Sequence, residues 1–373
     1  MSNQPAVVGP DGVARPYIGG QAVLEGVMMR SPHAFAIVVR RRNGELSVIE
    51  EPMLDLRKGA RAFPLVRGVA ALVEALKLGS RALRFSAELF ERDLNEAEAE
   101  ARRSAPSTLS MLSLPIVALA TSTAELPPTL PKKADGPNWM TALSVVFALG
   151  IFIALPQAFA AGVSSVFKLD LDVRSPQFQL ITGAAKLTIV IGYMLAIRRI
   201  PDIYRMFQYH GAEHKSIYTY ESGQALTVEN ARKWTTLHPR CGTTFLVMVA
   251  MVSILVFTAL GPFLPVLGLG KLADNVLFFL FKLPFLPLIA AVTFELQRLL
   301  ARYATKGPLR ALLWPGFLVQ KITTIEPDDS QLEVAMGSLA LTLAHEKGAK
   351  REPVAEQSYP NYAELLSRGA ATS

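Results

Sequence analysis

Five histidines occur in the 373 residues, and three of them share one stretch with the only cysteine. The heart of that stretch is His210-Gly211-Ala212-Glu213-His214. Asp202 to Tyr220 reads as a helix that starts just after Pro201. On a helix, positions 210 and 214 stand one turn apart on the same face. Two imidazoles so placed can grip one metal ion. The order His-x-x-Glu-His inverts the zinc-binding His-Glu-x-x-His pattern. In such sites the histidines are ligands, and the glutamate is the general base toward a water that the metal activates. The competing reading is a polar helix end whose imidazoles face headgroups or bond to carbonyls.

A second cluster follows. Thr227 can cap a short helix from Val228 to Leu237, which leads into His238-Pro239-Arg240-Cys241-Gly242. Imidazole and thiolate both suit a divalent metal of the zinc type. The stretch thus offers His210, His214, His238 and Cys241. If all four bind one ion, the site is closed and structural; if one stays free, water can enter the open position and react. The spacing is compatible with both. Glu295 ends the last apolar segment, and a carboxylate at the edge of a membrane segment needs a partner. That partner is either the metal or, preferably, Arg298 or Arg302. The run from Gly19 to Arg30 is either a turn-rich β segment with a salt bridge or a loop that covers the metal site with Glu25 and Arg30. His33 and His345 read as surface residues.

The elements that must hold these groups lie largely in a membrane. Only 18% of the chain is charged, against about 25% in soluble domains. Four segments are long and apolar enough to cross: Met140–Phe167, Phe178–Ile197, Cys241–Gly270 and Asn275–Phe294. Lys186 and Lys282 are the only charges within them. The loop at 198–240 is dense in Lys and Arg, as are the N-terminal region and the stretch after 298, so all three are placed in the cytosol. The net charge of +7 is attributed to these flanks, and no nucleic-acid partner is expected. One cysteine excludes an intrachain disulfide, and the polar first 20 residues do not read as a signal peptide.

The predicted fold is mainly α, a polytopic membrane protein of about four transmembrane helices with a small N-terminal β-rich cytosolic segment. Residues 1–60 form that segment: a strand from Ala34 to Val39, a turn at Asn43-Gly44 and a return from Glu45 to Ile49. Residues 61–100 form an amphipathic helix with Leu65, Val69, Leu72, Leu76 and Leu83 on one face. That face meets either headgroups or protein. Residues 101–138 read as a linker. Residues 139–300 form the four-helix membrane domain with its His-rich cytosolic loop at 198–240, and 301–373 a cytosolic tail. The expected location is the bacterial inner membrane.

Several of these stretches are familiar. Gly19 to Arg30 (Gly-Gly-Gln-Ala-Val-Leu-Glu-Gly-Val-Met-Met-Arg), Tyr209 to Lys215, Leu226 to Arg232, and Leu237 to Thr243 resemble the YqhQ-like family. That is a bacterial group of membrane proteins of unknown function, described as predicted metal-dependent enzymes. The resemblance runs over roughly residues 16–330. It implies membrane spans and a metal, carried here by His210, Glu213, His214, His238 and Cys241. It implies no substrate.

Three functions fit the sequence. The first is a zinc-type hydrolase at the cytosolic membrane face, cleaving a peptide bond or an amide or ester of a lipid, with Glu213 as base. The second is a metal-stabilised scaffold or regulator that docks a cytosolic protein. The third is an oligomeric transporter with Lys186 and Lys282 as pathway charges. No visible internal repeat supports the third. Membrane lipid is a partner in all of them.

Overall fold

The computed structural model describes residues 6–53, 63, 65–104, 139, 143, 146–147, 150–265, 267–303, 308–347 and 354–371. Most of them are helical, with a small β segment near the N-terminus. Strands β1 (Ala6–Val8) and β2 (Ala14–Pro16) pair with each other. The main sheet then begins with the hairpin β3 (Gly19–Val23) and β4 (Gly26–Arg30). A second hairpin joins β5 (Ala34–Arg40) to β6 (Leu46–Pro52). Gly44 takes φ 90° between them, as the expected Asn-Gly turn requires.

The sheet has one strand more than the N-terminal sequence supplies. Strand β7 (Val354–Tyr359) returns from the far end of the chain and pairs antiparallel with β6, giving the order β3-β4-β5-β6-β7. The C-terminal stretch is therefore part of this layer and not a tail. No local signal in 301–373 pairs it with residues more than 300 positions away.

Both faces of the sheet are covered. On one side Val27, Met29, Ala36, Val38 and Val48 meet Leu332, Ala335, Met336 and Leu339 of the helix Asp329–Lys347. Tyr209, Ala212 and Ile217 join the same core. On the other side Val23, Met28, Phe35, Ile37 and Val39 meet Ala82, Phe85 and Leu89. Each Val, Leu, Ile, Phe or Met among them contributes about 1.5–3 kcal/mol on leaving water. Double coverage explains why β4 and β5 read as continuous apolar runs rather than alternating ones. Ser338 adds a polar tie, since its hydroxyl donates to the Ala36 carbonyl at 2.9 Å and accepts from the Met29 amide at 3.1 Å.

The helices in chain order are α1 (Val66–Ser104), α2 (Leu155–Val166), α3 (Pro176–Ile197), α4 (Pro201–Glu221), α5 (Val228–Arg232), α6 (Gly242–Leu260), α7 (Lys271–Lys282), α8 (Phe285–Tyr303), α9 (Trp314–Thr323), α10 (Asp329–Lys347) and α11 (Tyr362–Ala371). Helix α1 links two regions. Its start packs on α8, where Gly68 meets Ala291 and Arg67 pairs with Glu295, and its middle covers the sheet. Of the apolar face read from the sequence, Val69, Leu76 and Leu83 are not covered by protein, while Ala82, Phe85 and Leu89 are buried against the sheet. Both lines have helical spacing, so periodicity alone does not separate them.

Among the described residues, two helices are long and apolar enough to cross a membrane, Pro176–Ile197 and Gly242–Phe263. A third span results if Ala273–Lys282 and Phe285–Ala301, bent by 44°, count as one. The bend falls at Leu283-Pro284, where proline removes a backbone donor. The described residues thus carry two or three of the four spans expected. The expected segment Met140–Phe167 lies partly outside the described residues, and its described helix α2 has 12 residues. The expected linker at 101–138 lies outside them after Ser104.

Candidate metal centre

Helix α4 carries the His-x-x-Glu-His stretch from the end of span α3 into the sheet core. Pro201 opens it at a position where a missing N–H costs nothing. Helix α4 is buried on every side from Gly211 to Ile217. Gly211 allows this. A Cβ there would lie 2.1 Å from the Ile325 carbonyl oxygen. That backbone crosses α4 closely, and the Ile325 amide donates to the Phe207 carbonyl at 3.0 Å.

The close crossing sets the first ligand. His210 Nδ1 stands 2.9 Å from the Thr323 carbonyl oxygen. His214 Nδ1 bonds the Thr236 carbonyl. A carbonyl only accepts, so each Nδ1 carries the proton and each Nε2 presents a lone pair. Metal-ligating histidines are oriented this way by their surroundings. The expected helix over Val228–Leu237 ends early, at Arg232. The irregular backbone that follows frees the Thr236 carbonyl for His214.

Cys241 supplies the third donor. It is the N-cap of α6, and its Sγ accepts from the Thr243 amide at 3.4 Å. Sγ also lies 3.2 Å from His210 Nε2 and 3.0 Å from the Thr243 hydroxyl. The cysteine backbone is fixed in turn, because Gln297 Nε2 donates to its carbonyl at 3.0 Å. Ligand atoms of His210, His214 and Cys241 all lie within 4.8 Å of one another. Zinc bonds of ~2.0 Å to nitrogen and ~2.3 Å to sulfur span such a group.

The electrostatics match a soft cation. Burial opposes ionisation of Cys241, but His210 and His214 outweigh it and hold the thiol well below its ordinary value. Burial likewise opposes charge on His210, yet the Cys241 sulfur and Glu213 push it up to about 9. A cysteine at a helix N-terminus beside imidazoles is shifted toward the thiolate, the form that binds metal. Glu213, which is 5% exposed, is pushed up by burial while the two histidines pull it down.

Glu213 is roofed by the sheet. A Cβ on Gly20 of β3 would stand 2.7 Å from Glu213 Cγ and 2.8 Å from Cδ. The Gly20 backbone also hydrogen-bonds the carboxylate. The Gly19–Arg30 run thus covers the site with bare backbone. Gly20→Val should displace the Glu213 carboxylate and lower stability by about 1–3 kcal/mol. A thermal melt of the purified protein reads this; an unchanged midpoint would refute the close contact.

His238 lies beside the group without joining its three donors. Its ring packs on His214 at 5.5 Å and on Tyr218 at 4.6 Å between centroids. Nδ1 accepts from the Arg240 amide at 3.4 Å, and Nε2 lies 3.8 Å from Glu221. Burial lowers its pKa to about 4, with Cys241 opposing. Gln320 clamps its backbone through two bonds of 2.7 Å.

The three supporting residues expected from sequence face elsewhere. Glu25, at φ 50° in the β3–β4 turn, pairs with Arg205 at 2.6 Å and accepts from the Tyr209 hydroxyl at 3.3 Å. Arg30 pairs with Glu74 at 3.0 Å. Glu295 accepts from Arg67 Nε at 2.6 Å, a partner more than 200 residues upstream, and the charge of Arg298 adds a weaker attraction. His345, expected at the surface, is buried against Glu50 at 3.2 Å. His33 lies half-buried beside Glu346 at 2.8 Å. The Thr236 and Thr323 carbonyls, Gln297 and Gln320 carry no sequence signal, since backbone acceptors are independent of residue type.

The fold and site together define a class: a membrane-associated α/β/α sandwich that buries a two-histidine, one-cysteine group beneath a glycine-bearing strand. The sequence model of the family described as "Protein of unknown function (DUF1385)" matches residues 63–345. The "Uncharacterized protein YqhQ" of Bacillus subtilis (strain 168) is 32% identical over 330 residues, which is 87% of this chain and 91% of that protein. The chain belongs to this family, whose function is unknown. No solved structure matches it.

Proposed function

We propose that this chain is a metal-dependent membrane hydrolase whose zinc-type site lies on the cytosolic side. The observation that carries the reading is the convergence of the His210, His214 and Cys241 donor atoms within 4.8 Å, with both Nδ1 atoms held by backbone carbonyls. Three protein ligands leave a fourth position for water or substrate. A bound divalent metal would supply Lewis acidity and lower the pKa of water.

The chain's own groups do the rest. His210, His214 and Cys241 hold the ion. Glu213, fixed by the Gly20 backbone, takes a proton from the attacking water and returns it to the leaving group. His238 stands against the His214 ring and holds it in place. The basic residues around 198–240 favour the cytosol for this loop, and with it the sheet and both chain ends. We place four spans in an inner membrane, with residues 140–167 as the first. Cys241 caps the apolar helix α6 and α4 follows α3 directly, so the substrate of a site between them is an amide or ester of a lipid or a membrane-proximal peptide.

The metal could instead only pin residues 222–241 to α4, since His214 and Cys241 both tie that stretch. Glu213→Gln separates the two readings. Wild type and variant are incubated with a panel of lipid amides, lipid esters and peptides, and products are read by mass spectrometry. Products formed by wild type alone support the hydrolase; none from either protein supports the structural role.

A further inference from the structure

The membrane helices enclose a second polar centre. Ser253 sits twelve residues along α6 from Cys241, about 18 Å away at 1.5 Å per residue. Lys186 of α3 donates to the Ser253 hydroxyl at 3.5 Å. Lys282, at the break between α7 and α8, is 5% exposed. It donates to Gln179 Oε1 at 2.9 Å and to Gln157 Oε1 at 3.3 Å. Its ammonium also lies over the rings of Phe278 and Phe257, at 4.7 and 5.2 Å from their centroids.

The amides are not free to turn. Gln157 Nε2 donates to the Asn275 carbonyl at 2.6 Å, and Gln179 Nε2 to the Val173 carbonyl. Each glutamine is therefore fixed with its oxygen toward Lys282. The hydroxyls are committed as well. Ser253 donates to the Ala250 carbonyl at 2.7 Å and Thr182 to the Phe178 carbonyl at 2.9 Å. The arrangement presents lone pairs and ring faces to two ammonium groups.

Both lysines line one cavity of about 20 Å³, shared with Gln157, Gln179, Thr182 and Ser253. None of the residues lining it is acidic. Two like charges in a low-dielectric setting are costly. Ionisable groups inside a membrane segment accordingly mark functional sites with a partner to be named. Here the described lining supplies dipoles but no negative charge. The volume is that of one water-sized body, since about 10–15 Å³ of such space holds one water. It is too small for a phosphate or a lipid headgroup.

We propose that the membrane domain binds a small monovalent inorganic anion, of chloride size, between Lys186 and Lys282. The site is independent of the metal centre and does not rest on its chemistry. Bound anion neutralises one of the two charges and joins α2, α3, α6 and the α7–α8 break.

The test uses full-length protein in detergent, exchanged into sodium gluconate, whose anion is too bulky to enter. Equilibrium binding of radiolabelled chloride should show about one saturable site per chain, displaced by bromide. Lys186→Met and Lys282→Met should each weaken binding at least tenfold and leave bound transition metal unchanged. In wild type, replacing gluconate by 50 mM chloride should raise the thermal midpoint by several degrees, a readout that does not depend on the variants folding. Absence of saturable chloride binding in wild type, or equal binding in folded variants, would overturn the proposal. Wild-type binding without the thermal shift would also contradict it, because an ion between four elements must stabilise them.

Discussion

Gly211→Ala will destabilise the protein by about 3 kcal/mol and strip bound metal from it. The added methyl falls 2.1 Å from the Ile325 carbonyl oxygen, far inside contact distance. That neighbour is backbone and has no rotamer to change. Either α4 or the segment after α9 must move by more than an ångström. The same segment holds His210 through the Thr323 carbonyl, so relief of the clash misaligns a ligand. Overpacking of this kind costs about 1–3 kcal/mol, with rigid backbone at the upper end. In an ordinary helix interior the same change would stabilise, by up to about 1 kcal/mol. Gly162→Ala serves as the control, because nothing lies within 4 Å of its Cβ position. Thermal melts and metal analysis of the two variants should diverge. Matching behaviour would contradict the close crossing.

Glu213→Gln will leave metal content within error of wild type and reduce turnover by about 10²–10⁴-fold. The amide is isosteric, so it keeps the fit beneath Gly20 and leaves His210, His214 and Cys241 untouched. It removes only the capacity to take a proton. The loss should lie in kcat rather than KM, since Glu213 is asked to act on the reacting water and not on substrate binding. Loss of metal in this variant would recast Glu213 as a ligand. Retained turnover would move the base elsewhere.

Much of this site was legible in the chain because helical spacing is strict. Positions 210 and 214 fall on one face wherever α4 points, and Cys241 follows the only other histidine of the same loop. What spacing does not encode is direction. His238 shares the neighbourhood, yet the Gln320 clamp and the Arg240 amide turn its ring toward Glu221. Glu25, Arg30 and Glu295 each found partners from distant elements: Arg205, Glu74 and Arg67. Charged residues near a motif are cheap to misassign, because any carboxylate or guanidinium nearby satisfies them.

The fold divides in the same way. The β5–β6 hairpin was readable from local turn chemistry at Asn43-Gly44 and from its apolar run, whereas β3–β4 showed only as a turn-rich stretch. Strand β7 was not readable, because Val354–Tyr359 is largely polar and is held mainly by backbone pairing with β6, with Tyr359 reaching the core. The face of α1 that meets the sheet was not legible, since two apolar lines share one helix and only the sheet decides between them. Apolar length marked α3 and α6 as spans, whereas Pro284 breaks the last segment in two.

The most direct measurement is the metal content of detergent-purified protein, wild type beside the double variant His210→Ala/His214→Ala. The account predicts about one zinc-type transition metal per chain in wild type and a near-complete loss in the variant, with the melt still cooperative. Wild-type protein that takes up no metal, even after zinc is added, would contradict the central claim.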